Sequence, residues 1–214
     1  MRVTGGELRG RRLRVPPRGV RPTADRVRET LFMVLAPRLS GARVLDLCAG
    51  SGALGIEALS RGAVHCVFVE VVPAVAHVAR ANLAALELAD RSEVLVAAAE
   101  RLFPRFAATG AVFDLVLLDP PYAAPAAPFL HGLLAPGVLA PDGLIAWEHD
   151  RRVPLPAGER LRVVDERRFG DTVVTMITPA AEEPPAAENP PPAKDPRAAK
   201  DPRATAKDPP PADP

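Results

Sequence analysis

Cysteine is scarce in this 214-residue chain. Only Cys48 and Cys66 are present, and with no histidine or further cysteine to complete a set their spacing fits no metal motif. Both sit on runs that read as core strands, where a reduced thiol behaves as a small hydrophobe. Lysine is missing from the body: Lys194, Lys200 and Lys207 all lie near the C-terminus, and every other base is arginine. Long apolar runs are missing as well. No stretch reaches membrane-spanning length without a charge or a turn signal, and Met1–Gly6 lacks the apolar segment of a signal peptide. These absences leave a soluble, cytoplasmic chain with no metal and no membrane partner as the expectation, and a monomer as its simplest state.

Apolar residues make up 48% of the chain, enough for one domain with a sizeable core plus appendages. The net charge of +1 hides an uneven distribution. Residues 1–43 carry eleven arginines against Glu7, Asp25 and Glu29, a surplus of eight positive charges. Residues 44–179 carry a deficit of five and residues 180–214 a deficit of two. A basic segment on an acidic body predicts a polyanion docking at one end.

Three pieces are predicted. Residues 1–40 form a basic extension and helix. Two short extended runs, Arg2–Thr4 and Arg12–Val15, make a hairpin-like arm with nothing apolar enough for a core of its own. A helix capped by Thr23 or Asp25 then runs to about Ala36, where Pro37 ends it. Residues 41–179 alternate strands with helices. The strands are Arg43–Leu47, Cys66–Glu70, Glu93–Ala97, Phe113–Asp119, Gly143–Glu148, Leu161–Phe169 and Thr172–Thr178. The helices are Leu54–Arg61, Ala74–Leu86, Glu100–Ala107 and Pro125–Leu134. Such alternation predicts a doubly wound α/β sheet, mostly parallel, with a C-terminal antiparallel hairpin turning at Gly170-Asp171. Residues 180–214 are proline, alanine and charge, with AKDPRA at 193–198 repeated at 199–204, and are predicted to be a disordered tail.

Two loops carry chemistry. The first is Val44-Leu45-Asp46-Leu47-Cys48-Ala49-Gly50-Ser51-Gly52-Ala53-Leu54-Gly55, an apolar strand, a glycine turn and a helix start. Glycines let backbone approach a ligand closely. A carboxylate at Asp46 would repel a pyrophosphate but suits a cation, and S-adenosyl-L-methionine carries an ammonium and a sulfonium. The D-x-x-x-G-S-G pattern resembles the first motif of class I methyltransferases. Glu70, about twenty residues on and ending the next strand, can accept hydrogen bonds from two ribose hydroxyls. After the third strand come Ala98 and Ala99. In that family a polar side chain commonly meets the adenine amino group at the position of Ala98, so here the contact falls to backbone or to a shifted side chain such as Glu100.

The second loop is Asp119-Pro120-Pro121-Tyr122, directly after Phe113-Asp114-Leu115-Val116-Leu117-Leu118. It resembles the fourth motif of methyltransferases that act on amino groups conjugated to a planar ring. Such an amine is a poor nucleophile because its lone pair is delocalised. A carboxylate and a prolyl carbonyl that accept its two N–H bonds turn the lone pair out of the plane. Paired prolines stiffen the loop so that the acceptors are set in advance. Tyr122 offers a ring for stacking, and the target base must be unpaired or flipped out.

Arg21-Pro22-Thr23-Ala24-Asp25-Arg26-Val27-Arg28-Glu29-Thr30-Leu31-Phe32, with Thr4-Gly5-Gly6, Gly10-Arg11 and Phe169-Gly170-Asp171-Thr172, closely resembles the bacterial 16S ribosomal RNA (guanine-N2)-methyltransferase family of RsmD type, from about Met1 to Thr178. The resemblance implies a class I, Rossmann-like S-adenosylmethionine-dependent methyltransferase fold with a small N-terminal extension. It implies methylation of the exocyclic N2 of a guanine, of guanine-966 type, in 16S ribosomal RNA or the assembling small subunit. Asp119, Pro120, Pro121 and Tyr122 would be catalytic. Asp46, Ala49, Gly50, Ser51, Gly52, Glu70, Ala98 and Ala99 would bind the cofactor. Arg9, Arg11, Arg12, Arg14, Arg21, Arg26 and Arg28 would meet RNA as a set. Two other readings are a DNA adenine-N6 methyltransferase and a non-catalytic RNA-binding module on the same fold. The first needs a target-recognition region longer than any insertion here, and the second leaves the intact motifs unexplained.

Overall fold

The computed structural model describes residues 1–16, 25–121, 125–156 and 160–180, all within one compact unit, Met1–Ala181. The expectations for Arg21, for Thr23, for Tyr122 and for the tail beyond 180 fall outside these residues.

In chain order the elements are α1 (Asp25–Leu35), β1 (Arg43–Leu47), α2 (Ala53–Ser60), β2 (His65–Glu70), α3 (Pro73–Ala85), β3 (Ser92–Val96), α4 (Phe103–Thr109), β4 (Phe113–Leu118), α5 (Ala127–Leu133), β5 (Leu139–Asp150), β6 (Leu161–Phe169) and β7 (Thr172–Pro179). Among the described residues the strands form one sheet in the order β3-β2-β1-β4-β5-β7-β6. Neighbours from β3 through β5 run parallel, and β7 pairs antiparallel with both β5 and β6. The doubly wound sheet with its closing hairpin is therefore present.

Alternation along the buried strands divides the core in two. Val44, Cys66, Phe68, Leu115 and Leu117 face α1–α3, while Leu45, Leu47, Val67, Val116 and Leu118 face α4 and α5. Three residues depart from the sequence reading here. Cys48 follows β1 instead of lying on a strand, with φ of 61°, and is only half-buried. The arm does contribute core: Val3 and Leu13 are 2% and 5% exposed and join the cluster beneath α1 and α2. The helix expected over Glu100–Ala107 is also split. A 3-10 turn at Ala99–Arg101 precedes α4, whose first turn holds Pro104. Proline lacks an N–H, so it suits a helix start and not an interior.

The strand order reverses between β1 and β4. Leu47 of β1 stands beside Leu118 of β4 and beside Val69 of β2. The residues just past those positions open onto the crevice where ligands bind in sheets of this kind.

Candidate active site

The glycine turn, Glu70 and the Asp119 loop meet at this reversal. Asp46 is the last residue of β1 on the α2 face. It is 1% exposed, and its Oδ2 accepts a hydrogen bond from Gly55 N at 2.9 Å. The carboxyl thus closes one of the open N–H groups in the first turn of α2. Gly55 is required where it stands, because a Cβ there would run into the Phe68 ring and Cys66 Sγ. The turn between them winds through positive φ at Cys48, Gly50 and Gly52. Ala49 N donates to Val69 O at 2.9 Å and Gly52 N to Ala49 O at 2.8 Å, which fold the turn back over the strand ends.

Glu70 ends β2 and is 8% exposed. Its Oε2 accepts from Gly50 N and its Oε1 from Val72 N, each at 2.9 Å. A carboxylate oxygen has two lone pairs, so both oxygens keep one for a further donor. Asp119 follows β4, half-buried, with its N donating to Leu47 O at 3.5 Å. Pro120 is half-buried beside it and Pro121 is exposed. Ala98 leads into the 3-10 turn as its N-cap in extended conformation, and its carbonyl accepts from Arg101 N at 3.1 Å. Ala99 is buried, and Glu100 is exposed.

The field here is negative. Burial, then Asp119 and Glu70, push the Asp46 carboxyl up to about 8, against the pull of the Gly55 N–H. Burial, then Glu70, Asp119, Asp46 and Glu100, push the Cys48 thiol up to about 12. The charge expected of Asp46 is therefore held back at neutral pH, and Glu70 keeps acceptor capacity beside it. A thiol so placed stays protonated and is a poor nucleophile. A ligand with an ammonium and a sulfonium fits this set: it would bring positive charge where carboxylates crowd one another.

The arginines divide. Arg9, Arg11, Arg12, Arg14 and Arg26 are exposed, though Arg11 Nη2 also reaches Ala85 O at 3.1 Å. Arg28 is not at the surface. Its side chain is fully buried, paired with Glu57 at 3.4 Å and with Asp25 at 2.9 Å, and it also donates to Arg2 O. That removes it from the set that can reach RNA.

Two polar residues organise the region although neither lies in a motif singled out from the sequence. Glu57, buried on α2, accepts from Thr4 N at 2.8 Å, Thr4 Oγ1 at 2.7 Å and Arg61 Nε at 2.9 Å, besides facing Arg28. Next to it, Glu7 N donates to Ser60 O at 2.8 Å and Leu8 N to Ser60 Oγ at 2.9 Å. Gly6 lies against Ser60 so closely, at φ of +75°, that a Cβ would strike its carbonyl, which explains Thr4-Gly5-Gly6 as an anchor for the arm. Asn82 on α3 is the other. The signal for each was a polar residue in an otherwise apolar helical stripe: Glu57, with Ser60 one turn on, within Ala53–Ser60, and Asn82 in line with Ala76 and Ala79. An open hollow lined by Asp150, Arg152, Phe169 and Asp171 contains none of the residues expected to bind the cofactor or to act in catalysis, although Phe169-Gly170-Asp171-Thr172 of the family pattern lines it.

The family model described as "Conserved hypothetical protein 95" matches residues 1–178. The chain is 36% identical over 172 residues to the Ribosomal RNA small subunit methyltransferase D of Haemophilus influenzae, covering 79% of this chain and 89% of that one. It is 46% identical over 123 residues to the protein of the same name from Escherichia coli, covering 57% of this chain and 60% of that one. A solved structure of a hypothetical protein from Thermus thermophilus superposes with a TM-score of 0.73 at 33% identity, over 83% of this chain and 99% of that one. With the motif loops meeting at the strand reversal and the match running through the arm, the chain belongs to the conserved hypothetical protein 95 family, the RsmD-type methyltransferases.

Proposed function

We propose that this chain uses S-adenosyl-L-methionine to methylate the exocyclic N2 of a guanine, of guanine-966 type, in the RNA of the small ribosomal subunit. Membership in a family whose curated relatives are named ribosomal RNA methyltransferases supports the coarser part, methylation of ribosomal RNA. The guanine N2 of 966 type rests on the family resemblance, and one observation supports an amino-group acceptor beside the cofactor. Asp119 and Pro120 emerge from β4 across the sheet reversal from Glu70 and the glycine turn, so an amine acceptor site and a cofactor cradle face one crevice.

When bound, the cofactor supplies a methyl group already activated on a sulfonium. The protein's own residues hold and orient. The remaining lone pairs of Glu70 suit the two ribose hydroxyls. The positive φ values at Gly50 and Gly52 keep that part of the turn free of side-chain bulk. The Asp119 carboxylate and the Pro120 carbonyl accept the two N–H bonds of the target amine and aim its lone pair. Glu70 and Asp119, which add to burial in raising Asp46 and Cys48, also favour the positive charge that grows on that nitrogen. Holding the reacting groups in line contributes on the order of 7–11 kcal/mol at most. The exposed arginines of the arm supply phosphate contacts that position the RNA, while the slot at Asp119 reads the base.

The test is tritiated methyl transfer to undermethylated small subunits, to free ribosomal RNA and to DNA, with the modified base identified by mass. N2-methylguanine in ribosomal RNA is expected, and N6-methyladenine in DNA would replace this reading. Asp119→Ala should lower transfer on the order of 10²–10³-fold, the cost of removing one preorganised group, with cofactor affinity retained. Undiminished transfer by that variant would remove Asp119 from the chemistry.

A further inference from the structure

Asn82 stands on α3 with its side chain only 2% exposed, on the stripe whose other buried members are Ala76, Ala79 and Leu83. A carboxamide buried there costs free energy unless its groups find partners. It finds them in two separate segments. Its Oδ1 accepts from Arg14 N at 2.8 Å and its Nδ2 donates to Arg14 O at 3.0 Å, a two-point pair with the backbone of the arm. The same Nδ2 donates to Ser51 O at 2.9 Å, the carbonyl between Gly50 and Gly52. Both amide hydrogens are then used.

We propose that Asn82 is a positioning residue that couples RNA on the arm to cofactor at the glycine turn, so that each ligand tightens the other. This rests on the reading of arm and turn given above. The Arg14 side chain is exposed, while its backbone N–H and C=O are both held by Asn82. A phosphate that grips the arm therefore acts on the residue that the carboxamide holds. Fixing Arg14 fixes the carboxamide, which fixes the Ser51 carbonyl in a turn whose flanking glycines restrain it little. Order supplied by the first ligand lowers the ordering cost of the second, which makes the coupling positive. Linkage makes it reciprocal. Arg11 ties the arm to the same helix through Ala85 O.

Calorimetry on the full chain tests this. S-adenosylhomocysteine affinity is measured with and without a 16S ribosomal RNA transcript, and RNA affinity with and without S-adenosylhomocysteine. The two ratios should agree at about fivefold or more in the wild type. Asn82→Asp keeps the size and the acceptor for Arg14 N–H but loses both donations. Its ratio should fall to near one, with the salt dependence of RNA binding unchanged. A ratio of one in the wild type, or a full ratio kept by Asn82→Asp, overturns the proposal. Amide exchange needs neither variant nor RNA: S-adenosylhomocysteine should slow exchange at the Arg14 N–H of the wild type, and unchanged exchange there overturns the coupling. RNA that fails to bind the wild type overturns the reading of the arm, while the exchange measurement still judges the link through Asn82.

Discussion

The arm and the strand ends carry charge in opposite ways. Among the described arginines of residues 1–43 only Arg28 is buried, and the others stand in water. At the strand ends the acids turn inward, with Asp46 and Glu70 nearly covered and bonded to backbone N–H groups. Hydrated like charges repel one another weakly and are screened by salt. A buried carboxyl loses the water that would stabilise its charge, and this burial, with Asp119 and Glu70 nearby, raises the Asp46 pKa to about 8. A long polyanion can be met by many separate hydrated contacts. A small cationic ligand needs a few acceptors held at set distances, and that requires burial.

Glu57 is where the two patterns cross, and removing it should give the largest effect. Glu57→Ala leaves Arg28 buried without its buried counter-charge, paired only with the exposed Asp25, and Arg28 Nη1 already lacks a hydrogen-bond partner. Breaking a buried pair costs about 3–5 kcal/mol, so the melting midpoint should fall on the order of 10 °C. Thr4 loses both of its acceptors, so RNA affinity should fall with stability. Thermal unfolding and RNA titration check both, and a variant that melts like the wild type would show that the arm is anchored by Val3 and Leu13 instead.

This crossing was the part least legible in the sequence. Strands bounded by turn residues were legible: β1 and β6 match, and β2 and β7 shift by one at an end, whereas β5 begins four residues before and ends two residues after the expected Gly143–Glu148. The motif loops were legible because glycines and prolines mark backbone needs that sequence records directly. The roles of Glu57, Asn82 and Arg28 depend on which segment packs beside them, at separations of 53, 68 and 29 residues in sequence. No local pattern specifies such partners. Arg28 lay in an arginine-rich run, and only the packing of α1 on α2 distinguishes its buried side from the exposed side of Arg26.

A smaller effect is expected at the arm's surface. Replacing Arg9, Arg11, Arg12 and Arg14 together by Gln should weaken RNA binding and flatten its salt dependence. The log–log slope should drop by about 0.7–0.9 for each phosphate that is no longer neutralised. Cofactor affinity measured without RNA should hold, and fold stability should fall only by the loss of the exposed Arg11–Ala85 O bond. Sequence preference should barely move. An unchanged slope would make the arm a structural brace and leave the hydrated arginines without a polyanion to meet.

The smallest effect, and the sharpest probe of the acidic side, is the pH dependence contributed by Asp46. Its folded carboxyl is raised from 3.8 to about 8, so the sign is opposite to that of a salt-bridged acid. As pH rises through about 4, the unfolded carboxyl ionises while the folded one keeps its proton. The group's contribution to stability is therefore greatest below pH 4 and declines until about pH 8, where both states are ionised. Binding a cation beside the carboxyl favours its charged form, lowers its pKa and releases a proton. S-adenosylmethionine affinity should then rise with pH between about 6 and 8, by at most tenfold per unit for a single proton released. Asp46→Asn keeps an acceptor for Gly55 N–H and cannot titrate. The ratio of wild-type to variant affinity at each pH removes the ligand's own titration, and that ratio should climb toward pH 8 and then level. Calorimetry in buffers of different ionisation enthalpy counts the proton directly, and an equal pH slope in both proteins would show that Asp46 does not change protonation when the ligand binds.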